Sequence, residues 1–307
     1  MKHILLLCLT VLSGFASAVA GKVPLASHDI VPKNGGDLLV SSQMVENILD
    51  YQKYGDLFTY LQAHYFRAIF LGILIGVFIV FLLHYLIVGA KSFSHSGKKV
   101  LVYSIFKRVI HWTAALAFVV IIPTGLIMVF GKELGGGTFV LYARELHAIF
   151  TVVFIVSIFP MLLFWFVDML PTWYDIKWVF MAGGYLSKKV TEVPAGKFNA
   201  GQKMWFWVAT LGGMVMIMTG AAMYFQSFDF GIASSLGLTQ IDLLRAAAIV
   251  HNIFAFAVLA LFITHLYMSL FAIKGSLDSM VSGYKSEDEL KYMHSVFYKK
   301  LKKEGKI

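Results

Sequence analysis

Residues 243–273 read LLRAAAIVHNIFAFAVLALFITHLYMSLFAI, a continuous apolar segment interrupted by two histidines, His251 and His265, fourteen positions apart. At about 1.5 Å per residue, a helix separates them by roughly 21 Å along its axis. Steps of about 100° bring them back to within about 40° of the same face. A hydrocarbon core is about 30 Å thick, so a helix of this length crosses it with one imidazole towards each surface. Ionisable groups are costly inside a bilayer, and a functional role is the first reading for them. The bland alternative is that each ring donates to a neighbouring carbonyl.

The rest of the chain supports a membrane setting. Hydrophobic residues make up 59% of the 307 residues and charged residues only 14%, far from the balance of a soluble domain. Further apolar runs lie at 66–90, 109–130, 145–167 and 204–225, each of spanning length. The expectation is an all-α integral membrane protein with five transmembrane helices. Residues 1–20 stand outside that count: a short charged start, an apolar stretch and small residues in A-x-A spacing at Ala16, Ala18 and Ala20 read as a secretory signal peptide. An uncleaved sixth helix is the alternative. Cys8, the only cysteine, falls within this segment. Its removal would leave no thiol for a disulfide, an iron–sulfur cluster or a covalently attached haem, so a cofactor would be held by histidine, methionine or carboxylate.

Charge sets the expected orientation. The segments 91–108, 168–203 and 274–307 hold most of the 26 Lys and Arg residues, whereas the loops 131–145 and 226–245 hold only Lys132, Arg144 and Arg245. The positive-inside rule puts the first three segments in the cytoplasm and segment 21–65 outside, which agrees with a preceding signal peptide. The net charge of +9 is therefore a topology signal and carries no suggestion of nucleic-acid binding.

With that orientation, His147 and His251 lie near the outer surface and His111 and His265 near the inner one. Each pair comes from two different helices. Bis-histidine ligation of two b-type haems, one per leaflet of a helical bundle, needs this arrangement. All four histidines, His111, His147, His251 and His265, are thus candidate axial ligands of iron. A competing class is a transporter or scaffold with the histidines as a proton path. His64 and His84 sit on nearly opposite faces of the first helix and read as interfacial; His28, His95 and His294 fall in polar segments. Pro123 and Gly125 are placed to bend the second span, and Gly212, Gly213 and Gly220 to let the fourth approach its neighbours. Segment 21–65 reads as a periplasmic loop with a short helix over 41–62. The Lys-rich tail 274–307 reads as an amphipathic cytoplasmic helix. No internal repeat is expected.

Several motifs resemble the gamma subunit of membrane-bound respiratory formate dehydrogenases, a four-helix di-haem cytochrome b. They are Lys107-Arg108-x-x-His111-Trp112, Pro123-Thr124-Gly125, the loop KFNAGQK at 197–203 and the segment GSLDSMVSGY at 275–284. The resemblance covers roughly residues 100–290. On it the chain divides into signal peptide 1–20, periplasmic segment 21–65, an extra transmembrane helix 66–90, a four-helix di-haem domain 100–273 and the tail 274–307. The resemblance implies two haem b groups and a quinone substrate, menaquinone or another, bound by Asn199 and Gly201 beside His265; by charge, Lys197 and Lys203 are expected to make the entrance electropositive. Asn199 reads equally well as a turn residue in F-N-A-G. The implied partners are a molybdenum or tungsten catalytic subunit and an iron–sulfur subunit in the periplasm, docking near Tyr142, Arg144, Glu145 and the 226–245 loop. Membrane lipid surrounds the subunit, which sits in a bacterial inner membrane. Related cytochromes serve nickel–iron hydrogenases or other periplasmic molybdoenzymes such as thiosulfate reductase, and they are the alternative assignment.

Overall fold

A computed structural model describes residues 55–94, 97–225 and 231–307. The expected signal peptide 1–20, the segment 21–54 with His28, and His95 lie outside the described residues, as do positions 226–230. Among the described residues, five helices are long and apolar enough to cross a membrane, at Asp56–Ile87, Ile105–Val129, Gly137–Trp165, Ala200–Tyr224 and Gln240–Ala272. The protein is a multi-pass helical membrane protein.

The first span is built from α1 (Asp56–His64) and α2 (Phe66–Ile87). Part of the stretch expected as a surface helix before residue 66 therefore runs directly into the spanning one. Segment 99–101 forms β1, and α3 (Ile105–Val129) starts where the Ser104 side chain accepts the Lys107 N–H, satisfying one orphan donor of the first turn. A turn through Gly135, Gly136 and Gly137, all at positive φ, reverses the chain into α4 (Gly137–Trp165). The pair α3–α4 forms one antiparallel hairpin. A short helix, α5 (Trp173–Phe180), follows.

The fourth span comprises α6 (Ala200–Trp207), a π-helical turn at Val208–Gly212 and α7 (Gly213–Tyr224). Its glycines set its packing. A Cβ at Gly213 would meet Phe154 Cε1 at 2.8 Å, and one at Gly212 would meet Phe254 Cδ1 at 3.0 Å. The last span, α8 (Gln240–Tyr267), is capped by Thr239, whose hydroxyl accepts the Asp242 N–H. It packs between α7 and α2, and Phe70 meets Phe256 edge-on at 4.6 Å. The middle of the bundle is filled by Ala114, Ala117, Phe118, Phe154, Ile158, Ala209, Val258 and Phe262.

The tail is folded, in contrast to the single solvated helix expected from its composition. It forms α9 (Asp278–Ser282), β2 (Tyr284–Ser286), α10 (Glu287–Met293) and α11 (Ser295–Lys303). Strand β2 pairs antiparallel with β1, Lys99 opposite Ser286 and Leu101 opposite Tyr284. Gly283 makes the approach: its φ is 90°, and a Cβ there would lie 2.5 Å from the Tyr103 carbonyl. A second apolar core seals this cap, with Tyr103, Trp165, Met169, Phe198, Phe206, Leu290 and Leu301 buried together. Lys285 and Glu289 form an ion pair that is almost fully buried. Periodicity cannot reveal such a cap, because strands of three residues pair across most of the chain.

Candidate functional site

The cap marks one end of the bundle, and each end holds one pair of histidines. At the cap end His111 of α3 faces His265 of α8, ring centroids 6.2 Å apart. At the far end His147 of α4 faces His251 of α8, centroids 6.4 Å apart. The two pairs assembled from sequence thus coincide with the two pairs that the fold brings together. Two imidazoles bound to one metal from opposite sides, with metal–nitrogen bonds of about 2 Å, place their centroids roughly 6–6.5 Å apart. The gap suits a single shared metal at each end. Between the levels lie Phe118 and Phe262, stacked at 5.8 Å, with Phe154 edge-on to Phe118 at 4.9 Å.

The far-end rings are held at their other nitrogen. His147 Nδ1 lies 3.2 Å from Thr124 Oγ1 and 3.0 Å from the Ile121 carbonyl. His251 Nδ1 lies 3.0 Å from Thr219 Oγ1. A glycine follows each threonine, and a Cβ at Gly125 or Gly220 would meet the facing imidazole Cε1 at 3.4 Å. The two settings are copies: 121–130 reads IIPTGLIMVF and 216–225 reads MIMTGAAMYF. The match is local, with five of the ten positions identical. Reading for helical spans obscured it, since only its Thr-Gly step departs from generic apolar sequence.

At the cap end the surroundings differ. His111 Nδ1 is buried and has no hydrogen-bond partner among the described residues. Trp205 stacks on His265 at 5.6 Å with an interplanar angle of 21°. The Lys107-Arg108-x-x-His111-Trp112 motif ties α3 to the cap, because Trp112 Nε1 donates to the Met280 carbonyl at 3.0 Å and Arg108 donates to the Val281 carbonyl. Two stretches that stood out separately in the sequence are thus one contact. His84, expected at the interface, is a bridge: its Nε2 donates to the Tyr185 carbonyl at 2.9 Å and its Nδ1 accepts from the Tyr267 hydroxyl.

Asn199 is the N-cap of α6. Its Oδ1 accepts the Gln202 N–H at 2.9 Å, and Gln202 Oε1 accepts the Asn199 N–H at 3.0 Å, a reciprocal capping box. The Asn199 amide NH2 is not engaged in that box. Gly201 lies beneath Trp178, whose Cη2 would be 3.1 Å from a Cβ there. Lys203 does not line an electropositive entrance as expected. It is buried against Asp175 Oδ2 at 2.7 Å and donates to Thr172 Oγ1 at 3.0 Å, an arrangement that meets the demand for pairing of a buried charge. Lys197 pairs with Asp168 at 3.6 Å. Burial, and then repulsion from Lys107, hold its ammonium below the usual lysine range, with Asp168 opposing. At the far end, Tyr142, Arg144 and Glu145 lie within the first turns of α4 instead of a loop, and Glu145 Oε2 accepts from the Tyr224 hydroxyl at 2.7 Å.

Residues 102–283 match the model of a protein family described as prokaryotic cytochrome b561. The chain belongs to the prokaryotic cytochrome b561 family. Relatives of this cytochrome include the formate dehydrogenase cytochrome b556 subunit of Haemophilus influenzae, 30% identical over 207 residues, which cover 62% of the present chain and 79% of that protein. The cytochrome b556(Fdn) subunit of the nitrate-inducible formate dehydrogenase of Escherichia coli K12 is 27% identical over 206 residues, covering 64% and 88%. The cytochrome b556(fdo) subunit of the same organism's formate dehydrogenase is 24% identical over 213 residues, covering 66% and 92%. A member of this family carries haem b, and the residues present fit that group. Each end of the cytochrome offers two facing imidazoles at single-metal spacing, the far end adds glycine hollows, and at the cap end one buried imidazole nitrogen is left over. In the sequence Thr124 stood out only as part of the Pro123-Thr124-Gly125 motif and Thr219 not at all, although the Thr-Gly step that both share was there to find.

Proposed function

We propose that this cytochrome is the membrane-anchoring electron-transfer subunit of a formate dehydrogenase complex. The observation that carries the reading is the placement of His251 and His265 on one helix, each facing a histidine of another helix at opposite ends of the bundle. The names of the relatives supply the formate dehydrogenase assignment. Two haem b groups, when bound, supply a one-electron relay from a periplasmic iron–sulfur subunit, itself fed by a molybdenum or tungsten subunit, to a quinone on the cytoplasmic side.

The residues of the chain do the rest. His147 with His251, and His111 with His265, hold the two irons. The charge distribution of the loops puts the far end outside and the cap in the cytoplasm, so Tyr142, Arg144 and Glu145 face the partner subunits. The aromatic middle excludes water between the two levels. At the cap end, the free amide of Asn199 and the backbone at Gly201 are available to a quinone carbonyl next to the start of α6, whose N-terminal dipole favours developing negative charge. Substituting each of the four histidines by Ala in the intact complex tests the assignment. His265→Ala is expected to remove about one of two haem equivalents by pyridine haemochrome assay, and unchanged content in all four single variants would overturn it.

A further inference from the structure

The threonines opposite the far-end histidines do more than fill space. A threonine hydroxyl has one hydrogen. Thr124 Oγ1 lies 2.6 Å from the Val120 carbonyl and 3.0 Å from that of Ile121, and Thr219 Oγ1 lies 2.8 Å from the Val215 carbonyl and 3.2 Å from that of Met216. Carbonyls only accept, so each hydroxyl spends its hydrogen on its own helix and meets the imidazole as an acceptor. His147 Nδ1 also faces the Ile121 carbonyl at 3.0 Å. Both Nδ1 atoms must therefore carry the proton. The lone pair of each ring is left at Nε2, on the side of the facing imidazole.

An imidazole that donates through one nitrogen becomes a more basic ligand through the other. More basic axial ligands stabilise the oxidised metal and lower its reduction potential. At the cap end His111 Nδ1 has no such acceptor among the described residues, and His265 lies against the Trp205 ring. The asymmetry orders the two centres. We infer that Thr124 and Thr219 are positioning residues that fix both far-end imidazoles in the Nδ1–H form and hold the far-end haem at a lower potential than the cap-end haem. With haems held at both levels, that order would make transfer of one electron from the far end, oxidised in the step, to the cap end, reduced in it, a downhill one.

This rests on the ligand assignment above, and the experiment separates the two. In the intact complex, redox titration followed in the haem absorption band is expected to resolve two components. His251→Ala should leave only the higher-potential component and His265→Ala only the lower. Thr124→Val and Thr219→Val should retain both haems and raise the potential of the lower component alone, which lowers its oxidised-to-reduced ratio at fixed ambient potential by roughly threefold to tenfold, tenfold being 59 mV for one electron. Thr124→Ser should restore the wild-type value. The ordering is overturned if His251→Ala loses one haem yet leaves the lower component, and the threonine role if both components stay in place in valine variants that keep their haem. Should His251→Ala keep both haems, the ligand assignment fails and the inference with it. Should a valine variant lose haem, Thr124→Ala and Thr219→Ala take its place, and a lower component that stays at its wild-type potential in them overturns the threonine role.

Discussion

Asn199 has two groups that a substitution can separate. Its Oδ1 closes the capping box of α6, while its NH2 is the donor assigned to the quinone. Asn199→Asp keeps the acceptor and removes the donor; Asn199→Ala removes both. The Ala variant is expected to lose about 1 kcal/mol of stability, the usual worth of an N-cap, together with quinone reduction. The Asp variant should keep its stability and lose only the quinone step, with both haems still reduced by formate. Wild-type quinone reduction in both variants would move the site elsewhere. At this scale the histidines were legible because a helical period reports depth and face together. The capping box was not read in advance: Asn199 stood as a turn residue, although Asn followed three positions later by Gln is its signature. As partners of the histidines, Thr124 and Thr219 escaped because a threonine in an apolar helix ordinarily bonds its own backbone, and what matters here is the ring that each one faces.

The cap is the element that composition described least well. Lys291, Lys299, Lys300, Lys302 and Lys303 made residues 274–307 look solvated, yet Leu290, Met293 and Leu301 are buried and the tail pairs through β2 with β1. Neither strand exceeds three residues, too short for alternation to show, and the partners are distant in sequence. His294, assigned by sequence to a polar segment, is buried in this cap and bonds the Gly196 carbonyl at 2.8 Å. Burial, and then the charge of Lys285, push its imidazole down to about 3, with the Gly196 bond opposing. The folded cap therefore holds His294 neutral, whereas the unfolded chain binds a proton below its ordinary value near 6.5. The contribution is complete above about pH 6.5 and is lost progressively as pH falls from there towards 3. Melting of the detergent-solubilised complex should drop in temperature as pH is lowered from 7 to 4, and His294→Gln should flatten that dependence. Parallel pH profiles for the two proteins would remove His294 from this role.

At the scale of the whole molecule, every inner and outer label depends on one charge asymmetry. An activity reporter fused after Lys303 should behave as cytoplasmic, and one placed in the turn at 135–137 as periplasmic; the opposite pattern would reverse the direction assigned to electron flow. With the cap inside, electrons move inward and protons are taken up there, so formate-driven quinone reduction in liposomes should build a membrane potential. Turnover without a potential would contradict that layout. The five spans could be read in advance because each is a long apolar run, whereas the order in which the molecule completes itself could not. Strand β1 leaves the ribosome near residue 101 and its partner β2 only after residue 284. At about 5–20 residues per second, the first strand waits roughly ten to forty seconds for the second. During that interval the helix bearing His111 is made and waits without the chain segment that Trp112 and Arg108 grip. His265, which faces His111, is itself made only about twenty residues before β2, so the histidine pair at this end and the strand pair that covers it are completed almost together.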